Sequence, residues 1–328
     1  MFQLLAIGDP IIDTHVQIDH DTAECSVIPH ANSQKLCFDY GSKIPILNSF
    51  QNLGGNAPNV AAGATRLGLK TAVLSTVGND INGKIALEQL AKMGIDTKYI
   101  TVDKNTTTRY SIVLNYDQER TILSYSDKKQ YYWPKNVATD WIYYTGLSAG
   151  FETLQKELLN YLKLHPTVHL AVNPGSYLLK FAIRELNEII KRTDTLILNL
   201  EEAEKILNTT LEKEKSVTAL IRKLIARGPS EVAITDAERG AWTGTKSEMW
   251  HQKAFPVGVI AKTGAGDAFS AGYLTARFHG HDLNHALSWG IANSAGVIQA
   301  HGTQTGLLDE SGIKKQLEVF PLIEPIKL

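Results

Sequence analysis

Apolar residues fall into two rhythms along this chain, and their alternation predicts the architecture. Short apolar runs mark buried strands at Leu4-Leu5-Ala6-Ile7, Thr71 to Val77, Trp141 to Tyr144, Val168 to Val172, Thr195 to Leu198 and Glu231 to Thr235. Between them, apolar positions three and four apart predict helices over Asn82 to Lys92, Phe151 to Leu164, Leu178 to Lys191 and Val217 to Ala226. Asp282 opens another helix with a face of Leu283, Ala286, Leu287, Ile291, Ser294 and Ile298, leaving Asn293 and Gly296 off the core. Alternation of this kind means βαβ units and a parallel sheet flanked by helices.

Two stretches depart from that rhythm. Residues 14–50 alternate only weakly and carry turn residues, with short strands at His15 to Ile18, Leu36 to Phe38 and Ile44 to Ile46, where Pro45 suits an edge. Residues 106–126 have a similar texture. Arg109 to Leu114, a turn at Asn115 to Glu119, and Arg120 to Leu123 form a hairpin signal. The two patches flank an αβ stretch, so they are expected to join in space as one small sheet. Such a sheet on an α/β body is a candidate lid, and its face and edges are a candidate dimer surface.

Glycines mark the chemistry. Lys262-Thr263-Gly264-Ala265-Gly266-Asp267-Ala268-Phe269 turns from Val257, Val259 and Ile260 into a helical run ending at Phe278. The first amides of a helix lack internal partners and its dipole favours negative charge, so this loop is a ready anion site. Asp267 at the same helix start suits a proton acceptor beside a moving phosphoryl group. The plainer alternative is close helix–sheet packing with Asp267 as an N-terminal charge. A dinucleotide fingerprint fails, because Phe269 stands where its third glycine belongs.

Asn52-Leu53-Gly54-Gly55-Asn56-Ala57-Pro58-Asn59 is the second such stretch. Gly54-Gly55 bends the chain tightly, and Ala57, Val60, Ala61, Ala64 and Leu67 then follow helical spacing up to Gly68. Asn56 suits an N-cap, whereas Asn59 inside the first turn points to a ligand hydroxyl. Asp13 follows the first strand, where open α/β sheets bind ligands. Asn199-Leu200-Glu201-Glu202 lies at another strand end. There Asn199 either caps a helix or, with Glu202, holds hydrated magnesium near phosphates. His281 and His285 sit one turn apart, a spacing metals use, but an exposed polar face is the better reading.

Composition narrows the partners. The chain has 328 residues, 43% of them hydrophobic, and a formal charge of −1 without a long basic run, which argues against nucleic acid or an anionic membrane. Cys25 and Cys37 are expected as free thiols, although a hairpin would allow them to pair. No apolar run reaches membrane-spanning length, and a cytoplasmic location is expected.

Taken together, Gly54-Gly55-Asn56-Ala57-Pro58-Asn59, Thr263 to Phe269, Asn199-Leu200-Glu201-Glu202 and the turn from Thr235 to Gly240-Ala241 resemble the ribokinase-like (PfkB) family of carbohydrate and nucleoside kinases. The resemblance covers essentially the whole chain. It implies one kinase domain over residues 1–328, a doubly wound, mostly parallel sheet with a small β-sheet lid. It implies Asp267 as base and the amides of Gly264, Ala265 and Gly266 as anion hole. Asp13, Gly54, Gly55 and Asn59 would hold the acceptor, Asn199 and Glu202 would organise Mg2+, and Thr235, Gly240 and Asn293 would surround ATP. A homodimer through the lid is implied as well.

The pattern departs from the family in three places. Ala261-Lys262 replaces the usual Asp-Thr before the anion loop, which removes part of a monovalent-cation site; Lys262 is expected to supply some of that charge beside the nucleotide. Ala171-Val172-Asn173-Pro174-Gly175 replaces a common Asp-x-Asn-x-Arg pattern. The span from Thr14 to Leu53 is long for one lid segment. The resulting expectation is transfer of the ATP γ-phosphoryl to a hydroxymethyl group of a sugar. The alternatives are a nucleoside acceptor, with Tyr110, Tyr125, Tyr131, Tyr132 and Trp133 as pocket candidates, or a non-catalytic sensor. Arg109 and Arg120 in the lid reach an acceptor anion or serve as surface charges.

Overall fold

The computed structural model describes residues 1–19, 24–28, 33–116 and 119–328. Among these, a ten-stranded sheet forms the body. Its parallel part runs, edge to centre and on, through Asp96–Asp103, Thr71–Gly78, Phe2–Ile7, Thr139–Tyr144, His169–Val172, Thr195–Asn199 and Glu231–Thr235. Three antiparallel strands, Ala241–Gly244, Met249–Gln252 and Ile326–Lys327, extend the far side.

Period-two patterning makes the sheet doubly wound. Leu4 and Ala6 enter one core with the helices Asn56–Arg66, Ile81–Lys92, Ala265–Phe278 and Leu283–Ile298. Leu5 and Ile7 enter the other, with Glu152–Leu164, Ile183–Arg192 and Val217–Ile225. Strand order reverses where Phe2–Ile7 lies between Thr71–Gly78 and Thr139–Tyr144. In open α/β sheets such a reversal opens a crevice at the carboxyl ends of the strands.

The two irregular patches do join. Ile46–Gly54, Ile11–Ile18, Arg109–Tyr116 and Glu119–Tyr125 pair in that order into a four-stranded sheet. Its strands begin at Ile11 and reach Gly54, beyond the expected bounds of 14–50, because polar residues such as Asp13 and Asn52 pair directly across it. Glu24–Ile28 and Ser33–Cys37 form a separate hairpin. Parts of the 14–50 segment, and positions 117 and 118 of the Asn115 to Glu119 turn, lie outside the described residues. Cys37 is a free, exposed thiol.

Two expectations need correction. The single helix expected over Leu178 to Lys191 is two, Ser176–Phe181 and Ile183–Arg192, separated by Ala182 at φ −137°, ψ 49°. Leu178, Ala182 and Leu186 bury into the same core on either side of the kink, which is why their spacing reads as one helix. Asn293 is not off the core but fully buried. Its Nδ2 donates to the Ala268 carbonyl at 2.7 Å and its Oδ1 accepts from Leu308 N–H at 2.9 Å, tying two helices and a loop together.

Candidate active site

The glycine loop from Lys262 to Gly266 opens the Ala265–Phe278 helix as expected. Gly264 is its N-cap with φ 83°, and a Cβ there would lie 2.9 Å from Thr303 Cα. Both facts require glycine. Ala268 N–H closes the first turn on the Gly264 carbonyl at 2.8 Å. Helix geometry then leaves the amides from Gly264 to Asp267 without helical partners. No atom lies within 4 Å of where a Gly266 Cβ would stand, so the helix start is open on that side. Lys262 is exposed on the approach to this loop.

Asp267 is held from the side. Asn59 Nδ2 donates to Asp267 Oδ2 at 2.8 Å. The amide's orientation is set by Thr303 Oγ1 and Gln304 Nε2, which each donate to Asn59 Oδ1 at 3.0 Å. Burial pushes the Asp267 carboxyl up to about 6, against the opposing pull of the Asn59 bond. Asn59 is therefore bonded to the protein on both sides of its amide. Thr303 and Gln304 were not singled out by sequence reasoning, although the bracket Gly302-Thr303-Gln304-Thr305-Gly306 was a signal for a constrained polar turn.

Asp13 lies on the small sheet, against Gly54. It is hydrogen-bonded by Ser111, and burial raises its pKa against that bond and the charges of His15, Arg109 and Arg120. Gly54 lies directly under its carboxylate, where any Cβ would collide with Asp13 Oδ2. Gly55 caps the Asn56–Arg66 helix at φ 98°, and a Cβ there would strike the Asp9 carbonyl. The cap is thus Gly55, and Asn56 is the first helical residue instead. Its Nδ2 donates to Asn173 Oδ1 at 3.1 Å.

A second aspartate was passed over. Asp9 follows the first strand and is 1% exposed. It accepts from Ser75 Oγ at 2.8 Å, from Tyr131 OH at 2.8 and 2.9 Å, and from Ser148 N–H and Oγ at 2.9 and 2.5 Å. Lys129 Nζ and Arg109 Nη1 each lie 3.9 Å from its carboxylate. Lys129 is itself buried, which lowers its pKa, and its ammonium donates to the Thr76 carbonyl at 2.8 Å. The break Gly8-Asp9-Pro10 at a strand's carboxyl end was the available clue.

Asn199 and Glu202 form a capping box at the next strand end. Glu202 N–H donates to Asn199 Oδ1 at 2.8 Å, and Asn199 N–H to Glu202 Oε2 at 2.9 Å. Asn173 Nδ2 also reaches Glu202 Oε2 at 3.4 Å, so the departed Ala171 to Gly175 stretch links the Asn56 side to the Glu202 side. Burial raises the Glu202 carboxyl to about 7, with the Asp267 charge adding to the rise. A buried carboxylate raised further by a neighbouring carboxylate suits a bound cation. Among the described residues no group of three or more His, Cys, Asp or Glu forms a metal cage, His281 and His285 included. Glu202 and Asn199 present the oxygens that a hydrated magnesium ion would use, few in number and shared with phosphates. Thr235 pairs directly with Asn199 across the sheet, and Gly240 at φ 89° begins the return strand beyond it.

The model of the pfkB family of carbohydrate kinases matches residues 29–310. The chain belongs to that family. Fructoselysine 6-kinase of Escherichia coli (strain K12) is 28% identical over 264 residues, covering 76% of this chain and 90% of that protein. A nucleoside kinase of Methanothermobacter thermautotrophicus is 24% identical over 312 residues, covering 93% and 92%. Among solved structures, Arabidopsis thaliana ribokinase complexed with ribose and ATP superposes with a TM-score of 0.78 at 19% identity, covering 97% of this chain and 99% of that one. The Methanocaldococcus jannaschii nucleoside kinase gives 0.73 at 22% identity, covering 97% and 99%. The pfkB kinase therefore has the ribokinase fold, and among its described residues no helix is long and apolar enough to cross a membrane.

Proposed function

We propose that this carbohydrate kinase moves the γ-phosphoryl of ATP to a hydroxymethyl group of a sugar or sugar-like acceptor, with Asp267 as base. One observation carries the reading: a carboxylate raised to about 6, fixed by Asn59, stands among helix amides without helical partners, beside the open side of Gly266. The acceptor lies between Asp13 and Asp267, with Gly54 and Gly55 making room for Asp13 and the Asp9 carbonyl at its border. Its hydroxyl oxygen bonds to the γ-phosphorus, the bond from that phosphorus to the ADP oxygen breaks, and the hydroxyl proton passes to Asp267. The amides of Gly264, Ala265 and Gly266 hold the phosphoryl oxygens. Glu202, steadied by Asn199 and Asn173, faces hydrated Mg2+, whose chemistry when bound is to neutralise phosphate charge. Thr235, Gly240 and the exposed apolar Val259 and Ile260 border the nucleotide, and buried Asn293 keeps the helix behind it in place.

The small sheet acts as a lid that excludes water from the transfer. Its outer face carries Tyr110, Leu123 and Tyr125, all exposed, which supports a homodimer through that face. The same placement favours a sugar over a nucleoside. Tyr110 pairs with Ile12 and Tyr125, on the face opposite Asp13, and Tyr131 is tied to Asp9, so these rings do not line the acceptor site. ATP-dependent work of this kind belongs in the cytoplasm. A coupled ADP-release assay with ATP and magnesium against sugars, sugar amines and nucleosides tests the reading. A nucleoside hit without any sugar hit overturns the acceptor class, and ATP binding without turnover on any acceptor favours a sensor.

A further inference from the structure

Arg120 connects the small sheet to the anion loop. It lies on the Glu119–Tyr125 strand, yet its Nη1 donates to Thr263 Oγ1, 143 residues away in sequence. Thr263 immediately precedes the helix cap Gly264. The register places Arg120 on the same sheet face as Asp13 and His15: Arg120 pairs with Asn115, Asn115 with Gln17, and Gln17 is two and four residues beyond His15 and Asp13. Its charge acts on both, opposing the rise that burial gives Asp13 and adding to the fall that burial gives His15. One guanidinium therefore stands between the acceptor side of the cleft and the loop that opens the helix.

The loop itself offers only neutral amides and a helix dipole. Lys262, expected from the sequence to supply positive charge, and Arg120 are both exposed, and it is the Arg120 side chain that bonds to the loop at Thr263. A guanidinium has several N–H donors, and the Thr263 bond occupies one of them. In phosphoryl transfer, charge spreads over the equatorial oxygens, which a planar fork of donors matches well.

We propose that Arg120 is a catalytic residue delivered by the lid. This rests on the reading of Gly264 to Asp267 as the phosphoryl site. With the lid over the acceptor, the Arg120 guanidinium donates to an oxygen of the γ-phosphoryl as the bond to ADP breaks and the bond to the acceptor hydroxyl forms. Asp267 takes the proton; Arg120 gains and loses none. The Thr263 hydroxyl holds the guanidinium at the loop, so lid closure and charge neutralisation occur together.

The test compares the parent enzyme with Arg120→Ala, Arg120→Lys and Asp267→Asn, using an acceptor identified by the ADP-release assay. Arg120→Ala should lose about a hundredfold or more in kcat, the scale of removing one oxyanion-hole donor, with the KM for ATP little changed. Methylguanidinium added to the buffer should restore part of that turnover and none of the loss in Asp267→Asn. Arg120→Lys keeps a charge but not the fork, and should fall clearly below the parent at unchanged thermal stability; it carries the test if Arg120→Ala does not fold. Parent-like kcat in either Arg120 variant, or a folded Arg120→Ala that methylguanidinium does not rescue, overturns the inference. Parent-like turnover in Asp267→Asn instead overturns the reading beneath it.

Discussion

Asp9 and Asp267 both sit at the carboxyl-end crevice of one sheet, and their surroundings are opposites. Asp9 has hydrogen bonds from Ser75, Tyr131 and Ser148 and two cations within 3.9 Å. Asp267 has one neutral side-chain donor, Asn59, and burial holds its pKa at about 6. A carboxylate saturated with donors is held in place and serves as an anchor. A buried carboxylate with a single donor is poised to take a proton. Identical side chains thus divide into structure and chemistry by what faces them.

The largest effect expected on this contrast is at Asp267. Asp267→Asn should keep the fold and ATP binding while cutting kcat by roughly a hundred- to ten-thousandfold, as removal of a general base does. Rapid-quench turnover measurements check this, and parent-like rates would remove Asp267 from the role.

At Asp9 the loss should be of stability. Asp9→Ala leaves the Lys129 ammonium buried without its counter-charge, a change that costs on the order of 3–5 kcal/mol. Urea melts read this directly, and a melt within error of the parent would show that Asp9 is no anchor.

The third test is pH. Asp267 must be ionised to accept a proton, so kcat/KM should be full above its pKa and fall as pH drops through about 6. An acid limb near an ordinary aspartate value would show that burial does not raise Asp267. The smallest shift comes from Asn59→Ala. The Asn59 bond favours the charged form, so its loss should move the acid limb upward by about one pH unit. A limb that stays in place would show that Asn59 orients the loop without tuning the base.

Much of the body was legible because its signals are local. Alternating strands and helices, the loop before Asp267 and the capping residue Asn199 each declare themselves within a few neighbours. The Asp9 site was not legible, since its partners Ser75, Tyr131 and Ser148 lie 66, 122 and 139 residues away. Thr303 and Gln304 reach Asn59 across 244 and 245 residues for the same reason. The Ile46–Gly54 strand hid because its first six residues are exposed on both faces, so no apolar alternation marks it. Asn293 misled for the opposite reason: a polar residue inside a helix reads as outward-facing unless its buried partners are known.

The polypeptide passes between the two sheets four times, and every passage falls at one end of the small sheet. Ile11 pairs with both Gly54 and Arg109, and Tyr110 pairs with Tyr125, so the four attachment points form a single row. A plate fastened along one row can swing about it but resists twisting. Asp9 and Lys129 sit beside two of those attachments, just before Ile11 and just after Tyr125, and their buried ion pair acts as the pin of the joint. The free rim then travels farthest for a given swing. In the proposed closure, Arg120, carried toward that rim, would turn a small rotation at the pin into a long reach at the loop.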